Sequence, residues 1–173
     1  PRRGQIIITE PVPPFVVGDI LSAQYIVAKY HPETLKEAKS RGIQLGVGLA
    51  LSQTKKGDIL IGATREFVEY DLRNTREGVR EVLKNATRLV PGLKNINIIR
   101  AMAGLRPYTP DGLPLIGFVN GLEGLFIAAG HEGDGIALSA ITGVIVSQLI
   151  CDGKAYTDVS ALDPNRFDLF SSK

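Results

Sequence analysis

Residues 99–138 constrain this chain more than any other part of its sequence. They contain a short strand that ends in Gly104-Leu105-Arg106-Pro107, a loop rich in proline and glycine, and the turn Gly130-His131-Glu132-Gly133-Asp134-Gly135 at the start of an apolar helix. An arginine offers a rigid fork of donors for a carboxylate, and a glycine-rich helix start offers backbone N–H groups and a partial positive charge. The pattern therefore indicates a site for a small negatively charged ligand.

Short apolar runs separated by turn residues predict the strands of the fold. Residues 5–9 form a β-branched run, and strict apolar alternation over residues 43–51 predicts a strand that forms a hairpin with residues 59–63. Residues 24–30 and 96–101 are also predicted to be strands. Asn120-Gly121 is a hairpin turn between the strands predicted at 115–117 and 125–129.

Two longer segments predict helices. Asn74 and Glu77 have the spacing of an N-terminal capping pair, and an apolar stripe from Val79 to Val90 follows, ended by Pro91-Gly92. The second helix runs from Gly135 to about Cys151 and is apolar nearly all round, but it is shorter than the roughly 20 residues that span a membrane. It is therefore predicted to be a buried core helix, with Cys151 as a small hydrophobic residue.

These elements predict the α+β class, with a large mixed, mostly antiparallel sheet and flanking helices. Residues 1–98 would form the sheet domain, and residues 99–173 would follow as a segment packed with it into one globule. In the C-terminal tail, Phe167 and Phe170 are predicted to dock onto the body of the domain.

Composition excludes several classes of function. The net charge of +2 comes from 20 basic and 18 acidic side chains that are interspersed, so no basic stripe is present for nucleic acid. One cysteine and two histidines argue against a structural metal site, and the single cysteine fits a reducing compartment. The chain lacks a Gly-x-Ser-x-Gly elbow, a His-Glu-x-x-His motif and a Walker loop.

The residue pattern alone leaves the role of the central stretch open. Arg106 would be costly to bury without an anion, but it could equally form a surface ion pair with Asp111 or a neighbouring residue. Tyr108 is equally suited to line a pocket or to pack the loop. The turn from Gly130 to Gly135 has a conformational explanation as well, because glycine-rich turns between a strand and a helix occur without any ligand.

Taken together, Pro1-Arg2-Arg3-Gly4-Gln5, the motif from Ala103 to Gly117 and the motif from Gly124 to Ile136 resemble a known pattern. They are similar to the C-terminal portion of FAD-dependent amino-acid oxidoreductases of the D-amino-acid oxidase family, the group of glycine and sarcosine oxidases and proline-type dehydrogenases. The resemblance implies FAD as cofactor, residues 1–98 as a substrate-binding domain and residues 99–173 as a segment that contacts the flavin.

The resemblance also implies roles for single residues. Arg106 would bind the substrate carboxylate with Tyr108 beside it, and the reaction would be hydride transfer from glycine, sarcosine, proline or hydroxyproline to the flavin. No side chain is assigned as a catalytic acid or base. The implied flavin contacts are Gly104, Leu105, Gly130, His131, Glu132, Gly133, Asp134, Gly135, Ile136 and Ala137.

Two departures from the family pattern set further expectations. Glycine-oxidase-like members carry a second arginine where this chain has Gly133, so the carboxylate site would be either weaker or completed by another residue. The dinucleotide fingerprint for the FAD pyrophosphate is absent from these 173 residues, which therefore lack the N-terminal Rossmann portion and are expected to be an inactive fragment of a longer protein.

Partners and location follow from the same resemblance. The expected partners are a small amino-acid or amine substrate, the missing N-terminal FAD-binding portion and other dehydrogenase subunits. The expected location is the cytoplasm, with peripheral membrane attachment of the full-length enzyme as an option. The competing interpretation is a non-catalytic module that binds an anion or another protein.

Overall fold

The computed structural model describes residues 1–167 of the chain. Short 3-10 turns connect the longer elements and occur again near the C-terminus. The strands are β1 (Arg2–Thr9), β2 (Asp19–Leu21), β3 (Ala50–Gln53), β4 (Ile59–Gly62), β5 (Ile98–Arg106), β6 (Leu115–Phe118) and β7 (Phe126–Ala129), and the helices are α1 (Ala23–Tyr30), α2 (Arg41–Gln44), α3 (Arg76–Leu89) and α4 (Gly135–Cys151).

The chain divides into two compact units, Pro1–Leu105 and Arg106–Lys173. The division therefore falls at the end of β5. The reason is that β5 joins the sheet of the first unit beside β1. How the two units pack against each other stays a prediction.

The first unit is built on a five-stranded sheet with the order β2-β3-β4-β1-β5. Strand β4 pairs antiparallel with both β1 and β3, so Ile61 lies opposite Ile7 on one side and Leu51 on the other. The predicted hairpin of β3 and β4 is confirmed, as is the α+β class with a mostly antiparallel sheet.

The core of this unit lies between the sheet and α3. The apolar stripe predicted for α3 is confirmed, because Val82 and Ala86 are buried against the strands. Full burial of a valine, leucine or isoleucine side chain contributes about 1.5–3 kcal/mol relative to exposure. The buried members of the cluster are Ile7, Leu45, Val47, Leu49, Leu51, Ile59, Ile61, Val82, Ala86 and Leu93.

The strand predicted for residues 24–30 is wrong, because this segment is helix α1. Ser22 caps the helix by accepting a hydrogen bond from the Tyr25 amide at its Oγ, at 3.2 Å. A side chain at Gly48 would lie 2.8 Å from Tyr25 Cβ, so the glycine lets the helix approach the neighbouring backbone closely. The serine cap and this contact outweigh the β-branched and aromatic residues that suggested a strand.

The long strand predicted for residues 43–51 is also largely wrong. Residues 41–44 form the short helix α2, residues 45–49 are buried coil, and only β3 from Ala50 onward is strand. Gly46 has φ of +65°, a conformation that interrupts a strand and that favours glycine. Four of the alternating residues, Leu45, Val47, Leu49 and Leu51, are nevertheless buried in the core.

Helix α3 is confirmed, but its cap is Thr75 and not Asn74. Thr75 Oγ1 accepts a hydrogen bond from the Gly78 amide at 3.0 Å. Glu77, the predicted second member of the capping pair, instead accepts from Arg41 Nε at 2.7 Å. The cap therefore lies one residue later than predicted, and Glu77 connects α3 to α2 through Arg41.

The second unit contains the β6–β7 hairpin and α4. The hairpin predicted from Asn120-Gly121 is confirmed, with Leu115 opposite Ala129 and Phe118 opposite Phe126. Helix α4 has the predicted bounds, and no helix of residues 1–167 is both long and apolar enough to cross a membrane.

The prediction that α4 is a buried core helix is wrong. Ile136 is 93% exposed, Ile145 is the buried residue of the helix, and Cys151 is exposed as well. The helix is apolar on nearly every side, but the small hairpin lies on one side of it. Much of the apolar surface of α4 therefore stays exposed. In the tail Phe167 is half-buried, whereas Phe170 lies outside the described residues.

Candidate functional site

Arg106 is the last residue of β5, directly after Gly104 and Leu105. The segment that follows, residues 107–114, is called the Arg106 loop below. Its centre is Thr109, which is 5% exposed and donates from Oγ1 to the Leu113 carbonyl at 2.7 Å. The Gly112 amide donates back to the Thr109 carbonyl at 3.1 Å, so the loop is a closed turn.

The predicted glycine-rich turn, residues 130–134, packs directly against the Arg106 loop. The Glu132 amide donates to the Pro107 carbonyl at 3.0 Å. A Cβ atom at Gly130 would lie 2.7 Å from Thr109 Cγ2, and Gly130 has φ of +86°. Glycine is therefore required at position 130 both by its conformation and by this contact.

Gly133 lies beside the Arg106 side chain. A Cβ atom at position 133 would lie 4.0 Å from both Cδ and Nε of Arg106, which is ordinary van der Waals contact. Arg106 is half-buried and Gly133 is exposed. The arginine that the sequence predicted for a carboxylate thus lies next to the turn that it predicted for the flavin.

His131 and Asp134 connect this turn to helix α4. His131 Nε2 lies 3.0 Å from Thr142 Oγ1, which fixes the imidazole against the second turn of the helix. The Asp134 carbonyl accepts from the Leu138 amide at 3.0 Å, but its side chain makes no capping hydrogen bond. The helix therefore begins without a side-chain cap from Asp134.

The start of α4 combines little steric bulk with the partial positive charge of a helix N-terminus. Gly135 has no side chain, Ala137 is small, and the first turn contains no acidic residue. Ile136 and Ala137 are exposed. Backbone N–H groups and the positive end of the helix dipole stabilise negative charge on a ligand placed there.

The second unit thus brings Arg106, Tyr108 and residues 130–137 of the predicted site into one part of the fold. Tyr108 is half-buried within the Arg106 loop. Gly104 and Leu105 precede Arg106 in β5 and belong to the first unit. The ligand contacts of all these residues stay predictions.

An ion pair that the sequence did not predict holds the Arg106 loop on its other side. Arg166 donates from Nε to Asp111 Oδ2 at 2.7 Å and from Nη2 to Asp111 Oδ1 at 3.0 Å. These hydrogen bonds hold the pKa of the Asp111 carboxyl below its ordinary value. The two residues are 55 positions apart, and no local spacing rule connects them.

Comparison with known proteins places this geometry in context. A family model described as FAD dependent oxidoreductase matches residues 1–149. The chain is 32% identical over 167 residues to the hydrogen cyanide synthase subunit HcnC of Pseudomonas protegens, which covers 96% of this chain and 34% of that protein. It is 41% identical over 92 residues to the glycine oxidase of Geobacillus kaustophilus, covering 53% of this chain and 24% of that protein.

The fold of this chain is also similar to that of solved oxidases and dehydrogenases. The L-proline dehydrogenase from P. horikoshii matches with a TM-score of 0.78 and 32% identity, over 97% of this chain and 40% of that one. The glycine oxidase from Geobacillus kaustophilus matches with a TM-score of 0.75 and 28% identity, over 96% of this chain and 39% of that one. The chain spans about a third of the length of the curated HcnC proteins that it matches.

Proposed function

Because this chain belongs to the family of FAD dependent oxidoreductases, we propose that it forms the substrate-binding portion of a flavoenzyme that oxidises a small amino acid or secondary amine. The contact between the Arg106 loop and the turn at residues 130–134 carries this proposal. It puts the Arg106 side chain next to Gly133, in the turn that precedes α4.

Arg106 holds the carboxylate of the substrate in this proposal. A guanidinium binds a carboxylate through two parallel N–H···O bonds, which fixes the orientation of the substrate as well as its position. The carbon that carries the amino group is then held at a set distance from the turn. The names of the relatives support this substrate class, since they include glycine oxidase and L-proline dehydrogenase.

The first turn of α4 and residues 130–134 border the flavin. FAD, when bound, supplies the chemistry by accepting a hydride from the substrate carbon. The N–H groups of the turn and the positive end of α4 stabilise the negative charge that develops on that side. The chain itself contributes alignment of the donor carbon, and this step requires no protein base.

The fixed backbone of the turn explains how this alignment is maintained. Gly130 packs on Thr109, and the Glu132 amide binds the Pro107 carbonyl. The flavin side and the substrate side of the site are therefore one continuous piece of structure. A displacement of either segment changes the distance between the carboxylate anchor and the flavin.

The test uses the full-length protein that contains this chain. It is expected to purify yellow, and its flavin absorbance is expected to bleach without oxygen on addition of an amino acid from a panel of glycine, sarcosine, L-proline and hydroxyproline. Methylamine, dimethylamine and pyrrolidine are the matched controls, since each lacks only the carboxylate. A colourless protein would favour the anion-binding or interaction module, and equal bleaching by acid and amine would refute carboxylate recognition.

A further inference from the structure

The C-terminal segment Asp163 to Phe167 forms a clamp on the Arg106 loop. Pro164 is fully buried, and a Cβ atom at Gly117 would lie 2.9 Å from its Cδ. Asn165 donates from Nδ2 to the Phe118 carbonyl at 2.9 Å and accepts from the Asn120 amide at 2.8 Å. The clamp is therefore anchored on the β6–β7 hairpin before it reaches the loop.

Arg166 is the part of the clamp that holds the loop. Besides its two hydrogen bonds to Asp111, its Nη2 donates to the Leu113 carbonyl at 2.9 Å and its Nη1 donates to the Asp163 carbonyl at 3.0 Å. The Arg166 side chain is 16% exposed and that of Asp111 is 33% exposed, so the pair is partly shielded from water. Bidentate pairs of this kind are among the strongest polar contacts in proteins.

The held residues connect directly to the site. Asp111 and Leu113 belong to the same closed turn as Thr109, since Thr109 Oγ1 binds the Leu113 carbonyl. Thr109 in turn packs on Gly130, and Pro107 accepts from the Glu132 amide. A loop with prolines at 107 and 110 has little freedom to absorb a shift at one end, because proline fixes φ.

We propose that Arg166 is a positioning residue for substrate binding: by holding Asp111 and Leu113 it sets the Arg106 loop, and hence the Arg106 guanidinium, against the turn at residues 130–134. The inference rests on the proposed role of Arg106 in carboxylate binding. It assigns a function to Arg166 through the contacts that this residue makes with Asp111 and Leu113.

The experiment measures acetate binding to the full-length flavoprotein by the change in flavin absorbance. Arg166→Gln is compared in two backgrounds, with Arg106 intact and with Arg106→Lys. With Arg106 intact, the dissociation constant for acetate should rise about fivefold to thirtyfold, the equivalent of about 1–2 kcal/mol, because the Arg106 guanidinium is no longer held in place. In the Arg106→Lys background, the further rise should be less than about twofold, because the residue through which Arg166 acts is already impaired.

Three more variants keep this test decisive. Asp111→Asn, which removes the other partner of the ion pair, should reproduce the effect of Arg166→Gln, and Arg166→Lys replaces Arg166→Gln if the latter loses its flavin. Arg41→Gln is the matched control, because Arg41 also forms a two-point pair with a carboxylate, that of Glu77. Its acetate affinity should stay within about twofold of wild type.

Each contrary result overturns a different statement. An equal factor for Arg166→Gln in both backgrounds would show a general structural role and overturn positioning through Arg106. Unchanged acetate binding in Arg166→Gln would overturn the claim that the clamp affects substrate binding. Acetate binding that is undetectable in wild type, or that Arg106→Lys leaves unchanged, would instead overturn the proposed carboxylate site and the positioning role with it.

Discussion

Replacement of Gly78 by alanine tests the packing between β1 and α3. Gly78 lies in the first turn of α3, and a Cβ atom there would lie 2.8 Å from Cδ and 2.9 Å from Oε1 of Gln5. The Gln5 side chain is buried and forms part of a polar network. Alanine at position 78 therefore requires the Gln5 amide to move.

The hydrogen bonds of Gln5 set the size of the effect. Its Nε2 donates to Glu66 Oε1 at 2.7 Å and to Thr75 Oγ1 at 3.1 Å, and its Oε1 accepts from the Thr75 amide at 2.7 Å. The bond to the carboxylate contributes about 1.5–3 kcal/mol and the two others about 0.5–1.5 kcal/mol each. Alanine regains about 1 kcal/mol of helix propensity. The expected net loss is roughly 1.5–5 kcal/mol.

The assay is urea unfolding of the protein with Gly78→Ala, Gln5→Ala and both changes. In the Gln5→Ala background the clash is gone, so Gly78→Ala should stabilise by about 0.4–1 kcal/mol, as glycine-to-alanine changes do at compatible helix positions. The predicted signature is thus a change of sign between the two backgrounds. A stabilising effect of Gly78→Ala in the wild-type background would refute the reasoning.

Three other changes test separate parts of the structure. Gly130→Ala should cost about 1–3 kcal/mol of stability from its positive φ alone, with a further loss from the contact with Thr109, measured as a lower unfolding midpoint. Asp111→Asn should lower the melting temperature at pH 7, but the difference from wild type should shrink below about pH 4. The reason is that Arg166 holds the pKa of Asp111 below its ordinary value, and protonation of the wild-type carboxyl at low pH removes the ion pair. An equal difference at pH 7 and pH 3 would contradict this. Leu51→Ala in the core should cost about 2–5 kcal/mol in urea unfolding, and a cost below 1 kcal/mol would contradict its burial.

Local patterns predicted the elements whose structure is locally determined. The stripe from Val79 to Val90 gave α3, and Asn120-Gly121 gave the β6–β7 hairpin. The motifs around Arg106 and Gly130 correctly predicted the family as well. In each case the residues that decide the structure are close together in the sequence.

Tertiary contacts decided the elements that the sequence did not predict. Gly46 adopts a positive φ and Gly48 packs on the backbone at Tyr25, and neither fact is visible in the alternation of residues 43–51. Helix α4 was predicted to be buried because it is apolar, but the described residues of its unit cover only part of it. Arg166 and Asp111 meet only after the chain has folded.

The sequence also did not predict which charged side chains are buried. Arg3 donates from Nη2 to Glu66 Oε2 at 2.8 Å, and both side chains are almost fully buried. Burial raises the pKa of Glu66, but hydrogen bonds from Arg3, Thr64 and Gln5 outweigh it, so the net pKa lies below the ordinary value. A count of charges along the chain does not show which of them form such a network.

The Michaelis constant of the full-length Arg106→Lys enzyme tests the central claim most directly. The measurement uses the amino acid that bleaches the flavin most strongly, together with flavin content and melting temperature. Lysine keeps the charge but loses the two-point contact, so binding should weaken by about 1.5–3 kcal/mol, a rise of roughly tenfold to 150-fold, while flavin content stays unchanged. An unchanged Michaelis constant in a variant with full flavin content would contradict the role of Arg106 in binding the substrate carboxylate.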